Sequence, residues 1–575
     1  MTADKPFQPL EILMPIAGPA VEAILSLFRA QATVVVACSF GKDSSCVMVL
    51  AIEAALRAKV QGLSPRLLCL TGDTRIENPE IEAHAKREQS KLKALALANG
   101  LDLTIHVAMP SLSDSFQMTV LSGRSLPSFA GMAAQCSQNF KINPMIRLRK
   151  QIMAAEVFGA LVVTLTGTRF AESERRSAKM KARGDSATEP VRNKDGDLMM
   201  TPVAHWETDD VWELLGYCNS GLVDTYSDQS ETLRIYAAAG GTTCAVVSDM
   251  ISDERKQSGG CGARTGCSLC VQVGNDKSME AMLREPRYEY MAGLNALRNY
   301  LAATQFDFSR RNWIGRTIEG GRIQVGPSQY SPAELLALTR YCMTIDAIEQ
   351  DAARSEGIEP RFELLPFTQM VALDVMWSLN ATLPAFQAVR EWQEIRNGSK
   401  RYPVPTVVAM PRRPVPALRF LEVDPAWESC PDLLHAGLSE PLADLAAELG
   451  GGESCMGHTT TSAGLRVLDI NTGPELEIDL ESADHAVYEE YEWLKAKHQA
   501  SLAGSSWTSG YRWWVQRGAV SVAAAVRGRH DHALRRAVFK ERRGLAGANV
   551  DLQVVLARST SGSVNREFDL LAAAA

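Results

Sequence analysis

Three short stretches of the chain hold residue types at spacings that suit phosphate chemistry. In Val34-Val-Val-Ala-Cys-Ser39-Phe40-Gly41-Lys42-Asp43-Ser44-Ser45 a buried-strand pattern enters a tight polar turn and a helical pattern follows. Backbone N–H groups at a helix start, helped by the hydroxyls of Ser39, Ser44 and Ser45, form an anion site. Lys42 adds a charge for phosphate, and Gly41 lets the backbone approach closely. The spacing is not that of the Walker loop, G-x-x-x-x-G-K-[ST]. The second stretch, Thr71-Gly72-Asp73-Thr74-Arg75-Ile76-Glu77-Asn78-Pro79-Glu80, offers Asp73 to hold Mg²⁺ or order a loop; alternatively Asp73 and Asn78 simply cap the next helix. The third, Thr166-Gly167-Thr168-Arg169-Phe170-Ala171-Glu172-Ser173-Glu174-Arg175-Arg176-Ser177, places Arg169 and Arg176 as planar forks for phosphate oxygens, against the alternative of a solvated charge run.

A different chemistry sits in the Gly/Thr/Cys-rich stretch 240–270, where Cys244, Cys261, Cys267 and Cys270 are close in sequence. Four thiolates suit zinc or an iron–sulfur cluster, and one C-x-x-C with two unevenly spaced partners leaves the two even. Cys136, in Cys136-Ser-Gln-Asn-Phe-Lys141-Ile-Asn-Pro144, is either a sulfur relay at a substrate site or a core residue. Cys38, Cys46 and Cys69 fall on strand or helix faces and read as packing residues.

The elements that must position these groups are legible between Ala32 and Trp212. Thr33–Cys38, Arg66–Leu70, Leu103–Val107 and Leu161–Thr166 read as buried strands, and Ser44–Lys59 and Glu80–Ala98 as helices between them. Such alternation implies a parallel sheet covered on both faces, with ligands bound at the carboxyl ends of its strands. From Pro286 to Asn397 the pattern is mostly helical. Five prolines between Pro403 and Pro416 mark a linker or boundary. Trp507–Arg543 carries nine Lys/Arg against two Asp/Glu, with Trp507, Tyr511, Trp513 and Trp514 interleaved. That stretch is either a nucleic-acid surface that stacks bases or an amphipathic element with its aromatics turned inward.

The Ser39–Ser45 turn is similar to the S-G-G-K-D-S loop of the PP-loop ATP pyrophosphatase superfamily, with Phe40 in place of one glycine. The Thr166–Ser177 stretch resembles that superfamily's G-x-R-x-x-E-S-x-x-R segment. With Pro202-Val-Ala-His205-Trp206-Glu-Thr-Asp-Asp-Val-Trp212, residues 30–215 resemble the phosphoadenosine-phosphosulfate-reductase-like branch. Cys261-Gly-Ala-Arg-Thr-Gly-Cys267-Ser-Leu-Cys270, followed by Asp276-Lys-Ser-Met-Glu280, is similar to the G-C-x-x-C and D-K-S-x-E segments of the DndC-type family of bacterial DNA phosphorothioation. This resemblance reaches to about residue 400.

The fold it implies is α/β: a PP-loop (adenine nucleotide alpha-hydrolase-like) parallel sheet flanked by helices, with a cysteine-rich iron–sulfur insertion and a helical C-terminal part. The expected segments are 1–30 (N-terminal helical), 31–235 (PP-loop domain), 236–285 (cysteine-rich), 286–400 (helical) and 401–575 (extension). The implied cofactors are ATP, Mg²⁺ and a [4Fe–4S] cluster on Cys244, Cys261, Cys267 and Cys270. Lys42, Asp43, Asp73, Arg169 and Arg176 are the expected catalytic residues. Ser39, Phe40, Gly41, Ser44, Ser45, Glu172 and Ser173 join them around the nucleotide. The implied partners are DNA as acceptor, a cysteine desulfurase as sulfur donor and other DNA phosphorothioation proteins.

Bulk properties agree with that class. At 575 residues the chain exceeds one core, since domains run to about 150 residues. No apolar run of about 18 residues and no signal-peptide pattern is present, so the expectation is a cytoplasmic protein without membrane contact. There the twelve cysteines read as core, metal or redox groups rather than disulfides. The net charge of −7 argues against a uniformly DNA-coating protein but allows local patches. Three rivals remain: a sulfonucleotide reductase, a tRNA-thiolating enzyme and a non-catalytic ATP-binding scaffold. The first depends on a catalytic cysteine in a Glu-Cys-Gly-x-His-type segment or an adjacent Cys-Cys pair, which this sequence lacks.

Overall fold

The run Thr33–Ala37 is apolar from Val34 onward and buried from Thr33 to Val36 because both of its faces are covered. Val34 and Val36 pack on one side with Leu67, Cys69, Val163 and Leu165. Val35 packs on the other with Leu68, Leu70 and Ile152. The structure, a computed structural model, describes residues 10–155, 161–194, 196–240, 266–423, 457–460, 466–469, 475–547 and 550–561. They form two compact units: residues 1–110 with 137–295, and residues 111–136 with 296–575.

The first unit is built on a six-stranded sheet of β1 (Thr33–Ala37), β2 (Arg66–Gly72), β3 (Asp102–Ala108), β4 (Val162–Leu165), β5 (Val191–Arg192) and β6 (Leu198–Met200), in the order β3-β2-β1-β4-β6-β5. All pairs are parallel except β5 with β6. Strand order therefore reverses at β1, which lies between β2 and β4. An open α/β sheet binds ligands in the crevice outside such a switch point.

Helix α1 (Ala17–Arg29) and helix α2 (Lys42–Val60) pack into the Val34/Val36 face, and so does α6 (Thr208–Asn219) through Val211, Trp212, Leu214 and Leu215. Helix α3 (Pro79–Asn99) starts where the sequence says it should: Asn78 Oδ1 accepts from Glu80 N–H at 3.0 Å and Pro79 fills the first turn. Gly100, left-handed at φ 55°, ends it. Helix α4 (Asn143–Ala155) covers the opposite face with Met145, Leu148 and Ile152. The remaining helices of this unit are α5 (Glu174–Arg183), α7 (Ser230–Gly240) and the short α8 (Lys277–Met282).

Residues 286–397 are mostly helical, as expected, and hold in addition β7 (Arg311–Ile314) and β8 (Arg322–Tyr330), paired antiparallel. β9 (Arg419–Glu422) extends this sheet through β8. Its apolar residues Ile314, Ile323, Val325 and Leu421 pack with Phe539, Leu545 and Val555, from distant parts of the sequence. Helices α9 (Pro332–Glu356), α10 (Phe367–Leu379), α11 (Gln387–Arg396), α12 (Ser509–Gln516) and α13 (Ala524–Arg542) supply the rest. The aromatic–basic stretch is partly core: Tyr511 and Trp514 are buried, and the Trp514 indole donates to Asp374 at 2.9 Å. Among the described residues no helix is long and apolar enough to cross a membrane.

Candidate active site

The turn after β1 is braced from behind. Ser39 N–H donates to Ser44 Oγ at 3.2 Å, and Ser44 Oγ–H donates to the Gly41 carbonyl at 3.1 Å. Ser45 is fully buried. Neither Ser44 nor Ser45 lines the cavity above the loop, which is walled by Ser39, Phe40, Gly41, Lys42 and Asp43. The Ser44 and Ser45 side chains therefore brace the turn from beneath rather than wall the cavity. One turn into a helix, a side chain points back toward the preceding loop, and here that direction leads under the turn.

Phe40 has the left-handed φ of 56° and is 1% exposed. A side chain in that conformation costs about 1 kcal/mol, a penalty offset here by burying an aromatic ring. Its carbonyl is held by His84 Nε2 of α3 at 3.2 Å, which must donate, since a carbonyl only accepts. Gly41 permits a close approach: a Cβ there would stand 3.0 Å from the Tyr236 hydroxyl, which accepts the Lys42 N–H at 3.4 Å.

The second loop, after β4, closes on the first. A Cβ on Gly167 would lie 3.0 Å from Asp43 C, Asp43 O and Ser44 N, so only glycine lets the two backbones meet. Arg169, 2% exposed, donates from Nε to Asp43 Oδ1 at 2.7 Å and from Nη1 to the Trp206 carbonyl at 3.1 Å. Lys42 Nζ meets the other oxygen, Asp43 Oδ2, at 2.6 Å. Asp43 is thus clamped between two cations and holds both at the cavity floor. One Arg169 nitrogen is engaged in that clamp and a second by the Trp206 carbonyl. Arg176 is exposed, ion-paired with Glu172, and both line the cavity. Ser173 stands apart: its hydroxyl caps α5 by accepting from Arg176 N–H at 3.4 Å.

Asp73 faces the same cavity from the end of β2. Its Oδ1 accepts from Arg75 N–H at 2.7 Å, a tight turn that aims the carboxylate, while Asn78 does the helix capping. The cavity encloses about 940 Å³. That is ample for a nucleotide, by the usual scale of about 300–1,000 Å³ for ligand pockets.

Two of the four candidate ligand cysteines, Cys267 and Cys270, are described; neither lines the cavity, but Cys267 packs against its wall residues Thr74 and Glu77. Cys267 pairs with Glu77 as an isolated bridge, and Ser268 N–H donates to the Ile76 carbonyl at 2.8 Å. Cys267 Sγ lies 3.5 Å from Thr74 Oγ1, and Cys270 N–H turns back to the Cys267 carbonyl at 3.0 Å. Burial first, and then the Glu77 carboxylate, push the Cys267 thiol up to about 12. By itself it stays protonated; a thiophilic metal would displace the proton. Lys141 Nζ reaches Glu77 at 3.3 Å and senses both cysteines electrostatically. A C-x-x-C turn of two soft donors fits an iron–sulfur cluster or zinc. Cys244 and Cys261 lie outside the described residues. Asp276 caps α8 by accepting from Met279 N–H at 3.0 Å, and Met279 and Met282 pack beneath Asn78, so the Asp276–Glu280 segment docks the cysteine turn.

Residues without a motif complete the site: Tyr236, His84, Glu77 and Lys141 all line the cavity. Ligand atoms of His84, Glu88 and Glu231 come within 4.8 Å of one another. Glu88 is already bonded to Ser227 and Lys91, and Glu231 to Arg87, so the group reads as an ion-pair network bracing the loop. Cys136 belongs to the second unit, half-buried, its N–H donating to Ser128 Oγ at 3.1 Å.

Residues 33–246 match the phosphoadenosine phosphosulfate reductase domain family. The match takes in the loop after β1, Asp73 and the Arg169–Arg176 segment. It supports assigning this stretch to the phosphoadenosine-phosphosulfate-reductase-like PP-loop branch, whose members are nucleotide-using enzymes of sulfur chemistry. No curated protein matches the chain.

Proposed function

We propose that the chain is an ATP-pyrophosphatase-type sulfurtransferase that adenylates a DNA backbone phosphate so that sulfur can replace one of its oxygens. The observation that carries the reading is the Lys42–Asp43–Arg169 clamp at the floor of a nucleotide-sized cavity, with the Cys267–Cys270 turn packed behind its wall residues Thr74 and Glu77. Oxygen on phosphorus is a poor leaving group, so the acceptor oxygen first attacks the α-phosphate of ATP. The bond to the β-phosphate breaks and pyrophosphate leaves. AMP then departs as a sulfur nucleophile takes its place.

Each described residue has a task in that sequence. The loop amides and Lys42 neutralise the triphosphate, and Asp43 keeps Lys42 and Arg169 aligned. Arg176, exposed in the cavity wall and paired with Glu172, folds onto the leaving pyrophosphate. Asp73 is the carboxylate placed to hold Mg²⁺, which supplies charge neutralisation at the phosphates. Cys267 and Cys270, with Cys244 and Cys261, would hold a [4Fe–4S] cluster, which supplies sulfur or electrons beside the nucleotide. A cysteine desulfurase is the sulfur donor in this reading, and other DNA phosphorothioation proteins are its companions.

The test is chemical. Chain purified without oxygen is assayed for iron and for conversion of ATP to AMP and pyrophosphate. DNA from cells carrying the partner set is digested and searched by mass spectrometry for phosphorothioate-linked dinucleotides. Release of ADP and phosphate instead of AMP would refute the ATP chemistry. An ordinary DNA digest beside active ATP cleavage would refute the acceptor alone, leaving a tRNA base or a small molecule in its place.

A further inference from the structure

In the second unit a cavity lies between the β7–β8 sheet and the end of α13, lined by Asn312, Arg316, Gln329, Thr382 and Lys540 among others. We propose that this cavity is a separate oxyanion site that takes a phosphate group, with Lys540 at its floor and Arg316 at its mouth.

Charge is the first argument. Among the described residues, Arg316 and Lys540 are the only charged ones of the lining, and no described carboxylate is part of it. Lys540 is 8% exposed, and its one hydrogen bond among the described residues runs to the Gly315 carbonyl, at a long 3.4 Å. A buried ammonium without an anionic partner is expensive and is retained where an anion completes it. Neighbouring charges make matters worse. Burial, then Arg536 and Arg316, hold the Lys540 ammonium down to about 8, and burial, then Arg124 and Arg536, likewise depress Arg316. The carboxylates that reach the group do so from outside: Glu319 acts on Arg536, and Glu475 on Arg124. Arg536 Nε is itself buried without a hydrogen-bond partner among the described residues.

Shape is the second argument. Side-chain amides of Asn312 and Gln329 and the Thr382 hydroxyl complete the wall, the neutral donors that accompany cations around phosphate. Arg316 is exposed while Lys540 is buried, so the cavity runs from solvent inward to a cation. The phosphate comes either from a free anion, including released pyrophosphate, or from the backbone of a polynucleotide; the chemistry is the same.

The site is tested by titrating inorganic phosphate into the full chain, reading heat and melting temperature. The expected response includes a phosphate site that is retained in Lys42→Ala, which removes the cation of the other loop, and is lost in Lys540→Met. The methionine variant itself should melt higher without phosphate, because it removes an unpaired buried charge. If it fails to fold, Arg316→Gln, at the exposed mouth, should weaken phosphate by more than about tenfold. Absence of a response in the unmodified chain, or a response unchanged in both cavity variants, overturns the proposal. A duplex oligodeoxynucleotide then separates the sources: competition with phosphate that requires Lys540 identifies a polynucleotide backbone, and its absence identifies the free anion. Binding is read without ATP turnover, so the result stands whatever becomes of the pyrophosphatase reading.

Discussion

Arg169 Nε donates to Asp43 Oδ1 at 2.7 Å, joining the loop after β4 to the loop after β1 at the point where the sheet order reverses. The parallel pairing of β1 with β4 brings the two loops to the same edge, and Gly167 lets them touch. Arg169→Lys keeps the charge but cannot reach Asp43 and the Trp206 carbonyl together, because an ammonium lacks the planar fork. AMP and pyrophosphate formation should fall by about 10²-fold or more, the usual cost of misplacing a charge-stabilising donor. A quenched-flow or chromatographic assay for AMP checks it, with circular dichroism confirming the fold.

Gly167→Ala tests the backbone contact. The added methyl meets main-chain atoms of Asp43 and Ser44, which cannot rotate away as a side chain would. The loops must part, and ATP affinity should weaken by about tenfold, or about 1.4 kcal/mol, in a calorimetric titration. Equal affinity in the variant would mean that the nucleotide does not depend on this junction.

Phe40 offers a test with two arms. Phe40→Ala should destabilise by about 3–5 kcal/mol, the cost of emptying an aromatic site in a core. Phe40→Gly should be less harmful by about 1 kcal/mol despite removing more atoms, because glycine adopts φ 56° without strain. Chemical denaturation of the two variants gives the ordering, and alanine more stable than glycine would contradict the left-handed assignment.

Asp346, in α9, accepts N–H bonds from Leu364 at 2.7 Å and Leu365 at 2.8 Å, while complete burial pushes its carboxyl up to about 7. An aspartate in the unfolded chain titrates near about 4. Between those values the folded chain holds a proton that the unfolded chain has lost, so this residue makes stability fall as pH rises through the window. Asp346→Asn should remove a slope of up to about 1.4 kcal/mol per pH unit there. It should also lower stability by about 1–3 kcal/mol through one poorly satisfied N–H. Denaturation midpoints at several pH values from 4 to 7 measure both effects.

On the proposed cluster reading, anaerobically purified chain should contain iron; Cys267→Ser should lose it, whereas Cys342→Ala, which alters a thiol buried in α9, should keep it. Metal analysis and visible absorbance read the difference. Zinc in place of iron would keep the cysteine turn as a metal site and remove the cluster.

The sheet was legible in the sequence because strands buried on both faces leave uninterrupted β-branched runs such as Thr33–Ala37, and the turns between them carry glycine, serine and charge. The same runs announced the loop at Ser39–Asp43 and the segments holding Asp73 and Arg169. What sequence could not assign was the direction of side chains once the loop closed. Ser44 and Ser45 turned beneath it, Ser173 became a helix cap, and Arg169 was drawn into a clamp with Asp43. β7 and β8 escaped notice because they pair with each other and with β9, and their apolar residues are covered by α13, a partner some 200 positions on. Local pattern reports which residues want burial; only the folded chain decides which distant surface buries them. His84, Tyr236 and Lys141 stand beside the loop, and Lys540 with Arg316 in a second cavity, by that tertiary decision alone.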